Sequence, residues 1–134
     1  MKQLAYVLMI CLVALAGHAR ADAGAQVEAA LDGFHAAAAR ADARAYLAHL
    51  TPEAVFLGTD GSERWQGEQY RSFVESSFAN GGGWTYTSLE RTIEISPDGR
   101  TAWFDEALSN EVLGNCRGSG VLVLSGDSWK IAQY

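Results

Sequence analysis

Basic charge is scarce in this sequence. Ten Lys and Arg stand against 16 Asp and Glu in 134 residues, a formal net charge of −6. Holding nucleic acid by its phosphates takes clustered Lys and Arg, and so does docking on an anionic membrane, so neither partner is expected. Cysteine is scarcer, with only two, Cys11 and Cys116. Three histidines, His18, His35 and His49, are scattered without the Cys or carboxylate spacing of a zinc or iron site. There is no Gly-x-Ser-x-Gly nucleophile motif, and no phosphate-loop Lys follows Gly81-Gly82-Gly83. No metal and no cofactor is implied, and His35 and His49 are expected on helix surfaces. What remains is 49% hydrophobic and 19% charged, the balance of one globular domain of modest size.

The longest apolar run is Leu4–Ala16, thirteen residues behind Lys2, and it is followed by Ala19-Arg20-Ala21. The run is too short for a spanning helix, which takes ~20 apolar residues, but suits a secretory leader with small residues at its cleavage site. Residues 1–21 are therefore expected to be a signal peptide cut after Ala21 or Ala23, with export to a bacterial periplasm or beyond. Loss of Lys2 and Arg20 leaves 8 basic and 16 acidic residues, a formal −8. Only Cys116 then remains, so no internal disulfide can form, and a lone Cys among apolar and Gly neighbours suits a small core residue.

Past the leader, periodicity changes twice. Val27, Ala30, Leu31, Phe34, Ala38 and Ala41 recur at helical spacing. Asp42 breaks and caps, and Tyr46, Leu47 and Leu50 suggest a short second helix ended by Thr51-Pro52-Glu53. Ala54–Gly58 and Glu63–Trp65 suit short strands around the turn Thr59-Asp60-Gly61-Ser62. A third helix fits Glu68–Ala79, with Tyr70, Phe73, Val74, Ser77 and Phe78 on one side, and the glycine triplet ends it. Alternation then takes over in Trp84–Ser96, Thr101–Ser109, Cys116–Leu124 and Trp129–Tyr134. Helices followed by an antiparallel meander predict an α+β fold with helices against one face of a curved sheet.

This order, together with Gly58-Thr59-Asp60, Glu63-Arg64-Trp65, Ala102-Trp103-Phe104-Asp105-Glu106, Cys116-Arg117-Gly118-Ser119-Gly120 and Trp129-Lys130-Ile131-Ala132-Gln133-Tyr134, resembles the SnoaL-like branch of the NTF2-like cone fold. The resemblance covers about residues 25–134. It implies a curved antiparallel sheet with about three N-terminal helices on its concave face. It does not imply one activity, because the superfamily includes ketosteroid isomerase, polyketide cyclases, dehydratases and binding or oligomerisation modules. Aligned through Ala41-Asp42, the isomerase tyrosine falls on Phe34 and its catalytic aspartate on Gly58, so that mechanism does not carry over.

Two carboxylates are candidate bases. Asp60 ends a strand near Trp65, although Gly61 and Ser62 also make it ordinary turn chemistry. Asp105 and Glu106 are adjacent and so point to opposite faces. Pairing Ser96 with Arg100 would set Arg91 opposite Asp105 and Ile93 opposite Trp103, with Arg117 on the face of Asp105. Two arginines beside one aspartate either form a structural ion pair or grip a carboxylate ligand.

The leading expectation is a pocket-forming domain for a small organic ligand, lined by Trp65, Arg91, Trp103, Asp105 and Arg117. The alternatives are a small enzyme of cyclase, isomerase or dehydratase type using Asp60 or Asp105 as base, and a structural dimerisation module. The same registers put Phe104, Leu108, Leu122, Leu124, Trp129 and Ile131 on one sheet face, and Ile93, Ile95, Trp103, Val121 and Val123 on the other. Helices cover only one face, so a homodimer through the uncovered face is expected.

Overall fold

The computed structural model describes residues 2–134, with side chains from Ala19 onward. Helix α1 runs Lys2–Ala39, and the expected cleavage points after Ala21 and Ala23 lie inside it. The side chains of the apolar run Leu4–Ala16 fall outside the described set. No helix among the described residues is long and apolar enough to cross a membrane.

From Val27 the helix presents the stripe its spacing predicts: Val27, Leu31, Phe34, Ala37 and Ala38 are buried. Ala41 takes φ 52 after the helix, the left-handed step that ends it. Asp42 then accepts the Ala45 N–H at 3.0 Å and caps α2, Ala43–Ala48. Helix α3, Gly67–Ala79, buries Tyr70, Val74 and Phe78, four-residue steps along one face. It ends where Gly81 adopts φ 73 and the Gly82 N–H reaches back to the Ser77 carbonyl at 2.9 Å.

The strands are β1 (Leu50–Leu57), β2 (Arg64–Gln66), β3 (Thr87–Ile95), β4 (Thr101–Asn110), β5 (Gly114–Ser125) and β6 (Ser128–Gln133). They form one curved, unclosed sheet in the order β2-β1-β6-β5-β4-β3, antiparallel except for the β1–β6 pair. Leu50 is not the last residue of a helix but the first of β1, where it pairs with Ile131. The ladder is irregular between Leu50 and Val55, the stretch that holds Pro52, which has no N–H to give.

The first long hairpin differs from the expected register by one residue. Gly99 sits at φ 70 and Arg100 is an extra residue after the turn, so the Ser96 N–H bonds to Thr101 and Ile95 pairs with Ala102. Arg91 is therefore opposite Glu106, not Asp105, and Ile93 is opposite Phe104, not Trp103. Ile93 and Ile95 accordingly join the helix-covered face, with Ile95 buried and Ile93 packed against the core. Trp103 stays on the outer face, 48% exposed, with Val121 as its cross-strand neighbour.

Candidate functional site

The concave side of the sheet and the three helices enclose a cavity of about 610 Å³. Two polar groups of side chains, set among aromatic rings, reach its wall through His35, Tyr134, Tyr46 and Tyr70. The first group centres on Glu106, which is fully buried although charged. Inward positions alternate along β4, so Glu106 falls between Phe104 and Leu108, both also buried. Its Oε1 accepts from His35 Nε2 at 2.7 Å and from the Tyr134 hydroxyl at 2.9 Å. Its Oε2 accepts from Arg91 Nε at 2.9 Å.

Burial alone would push the Glu106 carboxyl up. The hydrogen bond and charge of His35, with the bonds from Arg91 and Tyr134, outweigh it and hold the group at about 2. An ionised carboxylate can only accept, so the proton of the short contact sits on His35 Nε2. In the neutral imidazole Nδ1 then keeps its lone pair. Glu106 thereby fixes both the orientation and the tautomer of His35, which lines the cavity.

Room for this cluster comes from β5. Gly118 is the cross-strand partner of Glu106, and a Cβ there would collide with the Tyr134 hydroxyl. Gly120 opposes Phe104, and a Cβ there would collide with the Gln133 carbonyl. The Gly-Ser-Gly step thus lets the end of β6 close down on the sheet and Tyr134 reach across it.

Arg91 is spent within the protein. Its side chain is only 4% exposed, and beyond Glu106 it bonds Asp32 at 2.8 Å and the Glu28 carbonyl at 3.4 Å, tying β3 to α1. Its Nη2 lies 2.8 Å from Glu106 Oε2 without the geometry of a hydrogen bond.

The second polar group is a hydroxyl pair, Tyr46 on α2 and Tyr70 on α3, 2.6 Å apart and buried. Burial raises both well above an ordinary tyrosine; the mutual bond and charge raise Tyr46 further, while the bond opposes the rise at Tyr70. Burial, then the Glu106 charge and bond, likewise raise Tyr134. All three remain hydroxyls at neutral pH. One O–H of the Tyr pair serves the other oxygen, which leaves one proton for an acceptor in the cavity.

Phe34 separates the two groups, its ring 5.5 Å from His35 and 4.4 Å from Tyr46. Across from it Phe56 lies nearly parallel to Tyr70, at 4.9 Å and 11°, and to Tyr134, at 6.0 Å and 5°. The stacked rings form an aromatic wall of the cavity, which His35 and the tyrosine hydroxyls share.

Of the residues singled out from sequence, only Asp105 and Arg117 meet, and the set does not form one site. Trp103 and Asp105 are on the outer face, and Asp105 pairs there with Arg117. Arg117 also reaches the cavity mouth, while Trp65 stacks on Phe73 at 4.8 Å beside it. Asp60 is an exposed turn residue whose side chain accepts the Ser62 N–H at 2.8 Å, and the Ser62 hydroxyl and amide hold its carboxyl below the usual range. Gly58 is at the mouth, but Glu63 folds over it so closely that no side chain fits there. Cys116 is half-buried on the wall opposite Leu108. No group of three or more His, Cys, Asp or Glu among the described residues is arranged for a metal ion.

His35, Glu106, Tyr46, Tyr70 and Tyr134 were not singled out for chemistry. His35 is not a surface residue; it follows Leu31 by four and stands next to Phe34, inside the apolar stripe. Glu106 is the one charge between two inward-facing apolar residues. Both signals were present in the spacing.

The sequence profile of the SnoaL-like domain matches residues 27–134. This chain belongs to the SnoaL-like family. Among solved structures it is similar to a protein of Streptomyces avermitilis provisionally named a dehydratase of the NTF2-like family, with TM-score 0.70, 15% identity, and coverage of 85% of this chain and 94% of the other. A protein of Novosphingobium aromaticivorans provisionally named a scytalone dehydratase gives TM-score 0.74 at 9% identity, covering 87% and 84%. One of Pseudomonas putida provisionally named a polyketide cyclase gives 0.50 at 18%, covering 78% and 84%. Identities this low establish a shared fold alone. No curated relative matches the sequence.

Proposed function

We propose that this SnoaL-like chain is an exported domain that takes a small, flat organic ligand into its cavity and moves a proton on it. The observation that carries the reading is the His35–Glu106 contact of 2.7 Å on the cavity wall, with a tyrosine hydroxyl pair on the same wall. In its neutral form His35 would accept a proton at Nδ1 from a carbon next to a carbonyl, and the ionised Glu106 would stabilise the imidazolium that results. The electron pair left on carbon moves to the carbonyl oxygen, where the spare proton of the Tyr46–Tyr70 pair supports the developing charge. Return of the proton to another position isomerises the ligand; alternatively the enolate expels a hydroxyl from the next carbon, which takes the imidazolium proton and leaves as water, so that the ligand is dehydrated and His35 is restored. The dehydratase and cyclase names of the structural neighbours fit this class of chemistry.

Proton exchange tests the reading without the natural ligand. In deuterated buffer, the protein should accelerate exchange of the α-protons of 2-tetralone, followed by NMR, and His35→Gln should abolish the acceleration. Binding of the ketone without exchange would leave a binding module and overturn the catalytic role. No binding by any of a panel of aromatic ketones and phenols would overturn the pocket reading itself.

A further inference from the structure

We infer that the ligand is an uncharged amphiphile, with a carbonyl or phenolic head inside the cavity and an apolar tail leaving through the mouth. The inference rests on the pocket reading above and adds the chemical class of the ligand. Three apolar side chains belong to the cavity wall and are also exposed: Leu57 at the end of β1, Phe73 on α3, and Leu113 in the β4–β5 turn. Leu113 is 59% exposed and its neighbour Val112 is 91% exposed. Large apolar groups from three separate elements converge on one opening, and the polar groups of the wall sit behind them. Single exposed apolar residues need no explanation, but a ring of them continuous with a cavity is the surface that an apolar tail would cover.

Charge fixes the head. An anionic head needs a cation free to receive it. Arg91 is bound to Glu106 and Asp32, and the arginine at the mouth, Arg117, is paired with Asp105. An anion entering the wall would instead approach the Glu106 carboxylate, whose donors are already engaged. A neutral oxygen meets no such opposition and finds the spare Tyr46–Tyr70 proton.

A homologous series tests this on the full-length protein after export. From 4-methylphenol to 4-pentylphenol, Kd by calorimetry should tighten about fourfold per methylene, the ratio for transfer of one CH₂ out of water. The double variant Val112→Ser/Leu113→Ser should flatten that slope, and 4-pentylbenzoate at neutral pH should bind at least tenfold more weakly than 4-pentylphenol. A slope near unity, a slope indifferent to the double variant, or a benzoate as tight as the phenol would each overturn the amphiphile while leaving the pocket reading standing. Failure of every phenol to perturb the NMR signals of the cavity-wall tyrosines would overturn both.

Discussion

His35 on α1 and Glu106 on β4 are 71 positions apart in the chain and 2.7 Å apart in the fold. Their contact joins the helical layer to the sheet at the wall of the cavity that His35 lines. A buried carboxylate is tolerated only with its partners in place, so the same bonds that orient His35 also hold the two layers in register.

Glu106→Gln should therefore be costly. Removing one partner of a buried ion pair costs about 3–5 kcal/mol, and because Arg91 keeps Asp32 the loss should fall near the lower end. Urea unfolding at neutral pH measures it. The acid limb gives an independent check. Glu106 is depressed from 4.5 to about 2, so its stabilisation is present above the unfolded value and is lost as pH falls from about 4.5 through about 2. The wild type should lose stability across that window, and the variant should lose less. Parallel acid limbs would show that the Glu106 carboxyl titrates alike folded and unfolded, so that its partners do not favour its ionised form.

Gly118→Ala should act through Tyr134. The new methyl takes the space of the tyrosine hydroxyl, so Tyr134 must swing away from Glu106. Overpacking of this kind costs about 1–3 kcal/mol. Tyr134→Phe removes a hydrogen bond to a charged acceptor, about 1.5–3 kcal/mol. In the double variant the two losses should fall short of additive, because the alanine has already broken the bond that the phenylalanine lacks. Full additivity in urea unfolding would mean that Gly118 serves only backbone packing.

The Tyr46–Tyr70 pair invites a cycle of Tyr46→Phe, Tyr70→Phe and both together. Each single variant leaves one buried hydroxyl without its partner, whereas the double variant removes both. The double should therefore be no less stable than the worse single, with a coupling of about 1 kcal/mol. A coupling of zero by thermal or urea unfolding would show that each hydroxyl is satisfied elsewhere.

Much of the architecture was legible in the spacing of apolar residues. Val27, Leu31, Phe34 and Ala38 marked the core side of α1, and the alternation of β4 and β5 set Phe104, Leu108 and Leu122 on one common face, which the helices prove to cover. The site was less legible because register decides which polar residues meet. One extra residue after Gly99 exchanged Asp105 for Glu106 as the partner of Arg91, and with it an outer-face ion pair for a buried one. His35 was hidden for another reason: a histidine inside an apolar stripe looks like a surface residue until its partner, far along the chain, is known. Tyr46 and Tyr70 have ordinary core positions, and nothing local says that their hydroxyls meet.

Assembly through the outer sheet face remains the expectation, on a smaller patch than the alternation first suggested. Ile93 and Ile95 turn inward, so the outer patch centres on Trp103, with Val121 beside it and half-buried Val123 on the adjoining strand. Among the described residues nothing in the helical layer covers this face, since the described parts of α1, α2 and α3 pack on the concave side. A half-exposed tryptophan beside β-branched neighbours, one strand in from the sheet edge, is the anchor that a two-fold partner would bury, and aromatic anchors carry most of the energy of such contacts. Light scattering at micromolar concentration should return twice the mass of the mature chain. Trp103→Glu should return one chain with unchanged circular dichroism, because the side chain leaves the protein's own core untouched. A wild-type mass of one chain that dilution does not alter would remove the dimer.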